Sequence, residues 1–238
     1  MKQRFTRTEM LVGKKGIERL NGAKIIVFGV GGVGGYVVEA LSRAGIGELH
    51  LVDYDIVDVT NINRQIIAND QTIGKSKVDL FKERIKYINP DCKVVVYNEK
   101  IEAQNWKHFF EFDWDYVVDA IDMISSKILL AEVCEKRKIP IISSMGTANK
   151  FNPLDLKVAD IKKTKMCPLA KVMRRELKNR GIKKLKVVYS EEQPIKPEQL
   201  EKNESPFKQI NGTMSFVPGA AGLVIASEVV KGILESEG

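Results

Sequence analysis

Residues 24–35, KIIVFGVGGVGG, pass directly from an apolar run into a cluster of glycines, and they constrain the fold more than any other stretch. The run IIVF is rich in β-branched residues, which is typical of a strand covered on both faces of a parallel sheet. The glycines have the spacing G-x-G-x-x-G, and residues 36–44 favour a helix. Such glycines let the backbone turn tightly and approach a phosphate at a helix N-terminus. The sequence therefore predicts a nucleotide site built on Gly29, Gly31, Gly32 and Gly34.

A carboxylate at the end of the next predicted strand supports this interpretation. Residues 49–52 favour a strand that ends at Asp53, and Asp55 follows shortly after. This distance from the glycines suits an acid that accepts hydrogen bonds from a ribose. A lone G-x-G-x-x-G motif is weak evidence, and a glycine-rich packing turn is the alternative. The strand, the helix and the acid together favour a nucleotide.

Strands alternate with helices as far as residue 146, which predicts an α/β fold with a doubly wound, mostly parallel, Rossmann-like sheet. Ligands of such sheets bind at the carboxyl ends of the strands, where Asp53, Asp122 and Gly146 are expected to meet. We divide the chain into a nucleotide-binding core, residues 1–150, and a basic C-terminal α/β extension, residues 151–238, that completes the same domain. Within the extension, residues 191–208 are predicted to form a loop or crossover.

The composition is that of an ordinary soluble globular protein, and the cysteines favour the cytoplasm as its location. The three cysteines are scattered and form no C-x-x-C pair, which favours a reducing compartment. The N-terminal residues show no basic-then-apolar leader, and no uninterrupted apolar run reaches the roughly 20 residues that a bilayer requires. Residues 216–234 are apolar but are interrupted by Glu228 and Lys231, so we expect a buried helix and no membrane span.

The positive charge is concentrated in one block. Residues 157–186 hold twelve lysines and arginines against two acids, while the whole chain carries a net charge of +7. Clustered cations gain affinity for nucleic acids because they release counterions from the phosphates. The alternative for this block is a solvated surface that serves only solubility.

An NAD-dependent oxidoreductase and a nucleotide-sensing binding module are two other functions that a nucleotide site of this kind could serve. Three further features of the sequence argue against both. They are NINRQ at residues 61–65, GKSK at residues 74–77, and Asp122 in VVDAID. Hydride transfer needs no arginine and lysine near the phosphates, whereas cleavage of ATP builds up negative charge there. A carboxylate such as Asp122 also suits Mg²⁺, which prefers oxygen ligands and substrate phosphates.

The set GVGGVG, LVDYD, NINRQ, GKSK and DAID, spanning roughly residues 4–150, resembles the ThiF/MoeB/HesA superfamily, relatives of the ubiquitin-activating enzymes. This resemblance implies that ATP adenylylates a carboxylate and releases pyrophosphate. It implies that the glycines cradle the nucleotide, that Asp53 holds the ribose with Asp55 close by, and that Asp122 holds Mg²⁺. It also implies a homodimer in which Arg7 reaches the partner's ATP. The implied phosphate contacts are Asn61, Arg64, Gln65 and Lys77, and the catalytic set is Arg7, Arg64, Lys77 and Asp122. Gln65 and Lys75 could instead cap a helix or face solvent.

The second half resembles the tRNA threonylcarbamoyladenosine dehydratases in PLAKVMRREL, VVYSEEQP and NGTMSFVPGAAG. In that family the carboxylate of a threonylcarbamoyl group on tRNA is adenylylated, and an intramolecular attack then closes a ring with net loss of water. The resemblance implies that tRNA contacts the basic helix, and we assign this role to Lys171, Arg174, Arg175 and Lys178.

Two points separate this chain from its possible relatives. The branch that activates the C-terminal glycine of a sulfur-carrier protein usually has two C-x-x-C zinc pairs, which are absent here, so this function is the alternative. A sulfur-transfer protein as a partner stays open. Some dehydratases have a cysteine before the last glycine-rich helix, and NGTMSFVPGAAG has none. Cys167 is the one cysteine of the second half, and we expect an ordinary, partly buried thiol, because ring closure needs no enzyme nucleophile once the adenylate is well positioned.

Overall fold

The chain folds around a seven-stranded sheet in a computed structural model that describes residues 3–198 and 211–235. The strand order is β3-β2-β1-β4-β5-β7-β6, and only β6 runs antiparallel to its neighbour. This confirms the predicted mostly parallel sheet. The strands are β1 Lys24–Phe28, β2 Glu48–Val52, β3 Lys93–Tyr97, β4 Tyr116–Asp119, β5 Ile141–Ser144, β6 Leu156–Asp160 and β7 Lys186–Ser190.

Helices cover both faces of the sheet, as the doubly wound fold requires. They are α1 Thr6–Gly22, α2 Gly34–Ala44, α3 Lys77–Ile88, α4 Ile124–Arg137, α5 Pro168–Asn179 and α6 Phe216–Glu235. The alternating side chains of β1 show the two faces. Ile25 and Val27 pack on one face with α1, α2, α3 and α6. Ile26 and Phe28 pack on the other face with α4. Helix α5 lies on the same side as α4. Because both faces are covered, the central strands β1 and β4 are mostly apolar and buried along their length.

The C-terminal half adds strands to the same sheet. Strand β7 pairs in parallel with β5, and β6 forms the edge by pairing antiparallel with β7. Residues 191–198 form no helix or strand, and the rest of the predicted 191–208 loop lies outside the described residues. Helix α6 begins at Phe216, the first residue of the apolar stretch, and Pro218 lies in its first turn, where a missing N–H costs nothing.

Helix α6 covers the helix that follows the glycine loop. A Cβ on Gly222 would lie 2.4 Å from the carbonyl oxygen of Val33 and 2.8 Å from the Cβ of Tyr36, so α6 and α2 are in backbone contact. By length and composition alone α6 could cross a membrane, but half of that stretch is buried within the protein. The buried side chains include Val217, Ile225 and Val229. The apolar character of α6 is therefore explained by packing.

Candidate active site

A cavity of about 600 Å³ opens at the carboxyl ends of β1, β2, β4 and β5. This volume is in the range of small-molecule and cofactor sites. Of the site residues predicted from the core motifs, those that line the cavity are Gly29, Gly31, Gly32, Asp53, Asp55, Asn61, Arg64, Gln65, Lys77 and Asp122. The topology brings them together because parallel strands present their carboxyl ends at one edge.

The glycine loop offers free backbone donors to this cavity. Gly29 has a φ of +82°, and a Cβ there would lie 2.7 Å from the carbonyl oxygen of Ala120, so only glycine fits the turn without strain. Within the described residues, the N–H groups of Gly31, Gly32 and Val33 donate to no protein acceptor. They precede the N-terminus of α2, where the helix dipole favours an anion.

Gly34 has a different position from the other glycines. It is buried and does not line the cavity, and a Cβ on it would lie 1.8 Å from the carbonyl oxygen of Gly29. Its role in the structure is to let the start of α2 pack against the turn that ends β1.

We expect Gly34→Ala to lower the free energy of unfolding by about 1–3 kcal/mol, because the methyl group meets backbone atoms that cannot rotate away. Urea denaturation measures the loss. Gly22→Ala is the matched control, since no atom lies within 4 Å of its added Cβ. Equal stability of the two variants would contradict the packing role.

Asp53 is held in place by the backbone. Its Oδ2 accepts a hydrogen bond from the N–H of Val30 at 2.7 Å, and its Oδ1 accepts one from the N–H of Asp55 at 2.9 Å. Burial raises the pKa of this carboxyl, and the two N–H donors oppose that shift. The carboxylate joins the glycine loop to the end of β2 and keeps further lone pairs for a hydroxyl donor in the cavity.

The predicted phosphate-binding side chains lie together but already have protein partners. Lys77 is buried, and its Nζ lies 2.8 Å from Oδ2 of Asp55. Arg64 donates to the carbonyl oxygen of Thr60 at 2.8 Å, and the Oδ1 of Asn61 accepts a hydrogen bond from the N–H of Asp58 in a capping box at the turn Val59–Asn61. These contacts fix the cations at the wall of the cavity before any ligand arrives.

The side chain of Gln65 is suited to bind a polar ligand. Its side chain is buried in the cavity wall, and its Oε1 has no hydrogen-bond partner among the described residues. Leaving a buried polar atom unpaired costs about 1–3 kcal/mol. A 180° rotation of the amide would present its NH₂ group instead. In either orientation, a polar ligand in the cavity would satisfy it.

Asp122 is exposed at the cavity and makes no hydrogen bond or ion pair within the described residues. Beneath it lies a buried network that the sequence analysis missed. The Nζ of Lys127 lies 3.0 Å from the carboxylate of Asp119 and donates to the carbonyl oxygen of Ile121 at 3.0 Å. Ser143 donates to the same carboxylate. This network fixes the backbone beside Asp122.

Two other parts of the wall were also missed. One is an apolar end next to the Asp53 carboxylate, formed by Phe28, Val52, Ile101 and Ile121. The other comes from the C-terminal half of the chain and includes Leu169, Asn211, Thr213 and Pro218. No motif marks the apolar end, although NGTMSFVPGAAG contains three of the four residues of the second part.

Comparison with known proteins agrees with this geometry. The ThiF family matches residues 5–237. The chain belongs to this family. A ThiF relative from Bacillus subtilis, tRNA threonylcarbamoyladenosine dehydratase, is 43% identical over 99% of this chain and 96% of its own length. The enzyme of the same name from Escherichia coli is 39% identical over 75% of this chain and 66% of its own length.

Solved structures extend the likeness within the ThiF family. The crystal structure of E. coli tRNA N6-threonylcarbamoyladenosine dehydratase with AMP is 34% identical and has a TM-score of 0.89 over 98% of this chain and 94% of that one. The complex of that enzyme with ATP has a TM-score of 0.88, with 33% identity over the same shares. The fold is therefore shared along nearly the whole chain.

The remaining predicted residues do not line the cavity of this ThiF protein. Arg7 is exposed on α1. On α5, Lys171, Arg175 and Lys178 are exposed, whereas Arg174 is half-buried and donates to the carbonyl oxygen of Thr164 at 2.9 Å. Lys171 and Lys178 have no ion-pair partner within the described residues, while Arg175 lies 3.2 Å from Glu176. The structure thus separates Arg174 from the three exposed cations.

Cys167 is buried at the N-cap of α5. Its Sγ lies 3.7 Å from the position that a Cβ on Gly146 would take, and Gly146 lines the cavity. The thiol itself does not line the cavity. This is the position of a structural thiol close to the site.

Proposed function

We propose that the protein is an ATP-dependent tRNA threonylcarbamoyladenosine dehydratase. The observation that carries this is the cavity: it combines free N–H donors, fixed cations and the unpaired amide of Gln65 in a chain that resembles such enzymes along its full length. The proposed reaction activates the threonylcarbamoyl carboxylate as an acyl-adenylate, and ring closure then expels AMP.

The proposed nucleotide position follows from the polarity of the cavity wall. The apolar end formed by Phe28, Val52 and Ile101 suits the adenine, and the Asp53 carboxylate beside it accepts from the ribose hydroxyls. The N–H groups of Gly31 and Gly32 then face the phosphates at the start of α2.

The fixed cations supply the charge stabilisation. In the proposed first step, a carboxylate oxygen of the substrate attacks the α-phosphorus, and the bond to pyrophosphate breaks. Arg64 and Lys77 neutralise the charge that grows on the phosphates, assisted by Asn61 and Gln65. Because Asp55 and Thr60 already hold the two cations, little reorganisation is needed when that charge develops.

The second step is intramolecular. An atom of the carbamoyl group attacks the activated carboxyl carbon, and the bond to AMP breaks, so the sum of both steps removes one water from the substrate. Holding the two ends of the threonylcarbamoyl group together in the cavity provides most of the rate acceleration that this step needs. The wall contributed by Leu169, Thr213 and Pro218 would enclose this part of the substrate.

We assign Mg²⁺ to Asp122. The described residues hold no cluster of three or more histidine, cysteine or acidic side chains for a metal, and Mg²⁺ needs none when substrate phosphates supply the other ligands. The exposed carboxylate of Asp122 at the cavity fits this requirement. When bound, Mg²⁺ would neutralise phosphate charge.

The proposal also covers the assembly of the protein. Residues 1–150 would form the ATP-binding core, and residues 151–238 would complete the same domain, supported by the common sheet. The enzyme would be a cytoplasmic homodimer in which Arg7 reaches the ATP of the partner subunit. Met10 and Leu11, which are 81% and 88% exposed on α1 beside Arg7, support an interface there.

The deciding experiment incubates the protein with Mg·ATP and tRNA that carries threonylcarbamoyladenosine, and follows the digested nucleosides by mass spectrometry. Loss of one water from the modified nucleoside, with one AMP formed per conversion, is the expected result. An unchanged tRNA together with pyrophosphate exchange on a sulfur-carrier protein would refute the proposed substrate. Thermal stabilisation by NAD but not by Mg·ATP would refute the proposed chemistry.

The exposed cations of α5 make the tRNA contact testable. Changing Lys171, Arg175 and Lys178 to glutamine is expected to weaken tRNA binding and to lower the slope of log Kd against log salt by about 2–3, since each phosphate contact contributes roughly 0.7–0.9. Filter binding at several salt concentrations measures the slope.

Lys86→Gln is the control, because this exposed lysine of α3 lies on the opposite face of the sheet. Its slope should equal that of the unmodified protein. If the triple variant also keeps the full slope, the basic block is a solvated surface.

A further inference from the structure

Two exposed phenylalanines lie close in the chain to residues that line the cavity, outside the groups assigned so far. Phe151 is 56% exposed and Phe216 is 39% exposed. Their ring centroids lie 5.4 Å apart, and the rings meet edge to face at 84°. This arrangement leaves ring surface open to solvent next to a polar cavity. Large apolar surface of this kind usually marks an interaction site when it borders a binding site.

The position of the pair follows from its neighbours in the chain. Phe216 lies between Thr213 and Pro218, which both line the cavity, and Phe151 follows Ala148, which also lines it. Each ring is therefore no more than three residues from the cavity wall. The pair therefore borders, along the chain, the part of the cavity wall to which the C-terminal half contributes Thr213 and Pro218.

Asn149 holds this part of the chain in a defined shape. Its φ is +57°, which is uncommon for a residue with a side chain. Its N–H donates to the carbonyl oxygen of Gly212 at 2.8 Å, and its Oδ1 accepts from the N–H of Gly212 at 2.8 Å. Its carbonyl oxygen accepts from the N–H of Ile195 at 2.8 Å. Three separate chain segments are thus joined at one residue beside the aromatic pair.

The same part of the chain connects the pair to the basic helix. Gly146 lines the cavity at the start of residues 146–151. A Cβ on Gly146 would lie 3.8 Å from the Cβ of Leu169 on α5. The exposed Lys171 follows Leu169 by two residues, and Phe151 lies at the other end of the segment. Residues 146–151 therefore run from the contact with α5 to the aromatic pair.

We propose that Phe151 and Phe216 form a stacking platform for a nucleobase of the RNA that flanks the modified adenosine. This inference rests on the proposed function and deepens it. To enter the cavity, the modified base has to leave its stack, which also leaves its neighbour without a stacking partner. An exposed aromatic ring replaces that partner, and stacking of this kind accepts any base because every base has a π-face. The platform thus holds the unstacked strand in position while α5 binds its phosphates.

The test compares Phe151→Leu, Phe216→Leu and the double variant with the corresponding tyrosine variants. Leucine keeps apolar volume but lacks a ring face, whereas tyrosine keeps the ring. For the double leucine variant we expect KM for the modified tRNA to rise at least about ten-fold, with KM for ATP unchanged. The tyrosine variants should stay close to the unmodified protein. Phe112→Leu is the matched control, since Phe112 is 46% exposed and its ring lies near Lys24, at the start of β1 and far from the cavity.

An RNA stem-loop that carries the modified adenosine and lacks one of the two bases beside it provides the direct readout. If the ring contacts that base, its removal weakens binding to the unmodified protein but not to the leucine variant. If removal of the base weakens binding to the leucine variant as much as to the unmodified protein, on both the 5′ and the 3′ side of the modified adenosine, the platform proposal is wrong. Unchanged RNA affinity of the leucine variants would also overturn it, even if these variants had lost activity with a sulfur-carrier protein. The unmodified protein tests the proposed function separately, because that proposal fails only if this protein does not dehydrate the modified tRNA.

Discussion

Asp122→Asn is expected to slow AMP release from Mg·ATP and modified tRNA by at least about a hundred-fold, because it removes the carboxylate proposed to hold the Mg²⁺ that would neutralise the developing phosphate charge. Its carboxylate is exposed and makes no hydrogen bond or ion pair in the described part of the chain, so the fold should not depend on it. The free energy of unfolding should change by no more than about 0.5 kcal/mol. Asp122→Ala should behave in the same way.

A coupled assay for AMP, run over a range of Mg²⁺ concentrations beside thermal denaturation, measures both quantities. Asp113→Asn is the control, because Asp113 is an exposed carboxylate that does not line the cavity. AMP release near the normal rate in the Asp122→Asn protein would remove this residue from the mechanism. A large loss of stability would instead show that it supports the fold.

Lys127→Met is expected to destabilise the protein by about 3–5 kcal/mol, since it leaves the buried carboxylate of Asp119 without its cation. The side chains of Lys127 and Asp119 are 0% and 1% exposed, so water cannot replace the lost partner. For a chain of this size the melting temperature should fall by roughly 6–20 °C. Thermal and urea denaturation measure the effect.

Two comparisons separate the ion pair from the side-chain volume. The double variant Asp119→Asn/Lys127→Met removes both charges and should regain part of the lost stability. Lys136→Met makes the same change at an exposed position of α4 and should alter stability by no more than about 0.5 kcal/mol. If Lys127→Met also stays within about 1 kcal/mol of the unmodified protein, the buried pair does not support the loop beside Asp122.

The sequence was informative wherever a short stretch contains its own physical signal. The apolar run before Gly29 predicted β1, and the stretch after the glycines predicted α2. The motifs also predicted a cleft at the strand ends, because a parallel sheet leaves one edge for these residues. These features depend on neighbours within a few positions.

Features that depend on packing between distant elements were not predictable. The contact between Asp119 and Lys127 exists because α4 packs beside the end of β4, and the sequence alone shows two ordinary charged residues. The orientation of α5 is similar, since one step around the helix separates Arg174, which donates to Thr164, from the exposed Arg175. The backbone contact between Asn149 and Gly212 joins segments that no periodicity relates.

The contact between α2 and α6 has a consequence for protein synthesis. Helix α2 follows the glycine loop, but the helix that covers it comes much later in the chain, with Gly222 against Val33. A ribosome therefore releases the phosphate-binding turn long before its support has been translated. Nascent chains that stop before residue 216 should expose the apolar side of α2 and bind chaperones. They should also be unable to hold ATP, so that unfinished chains do not consume it.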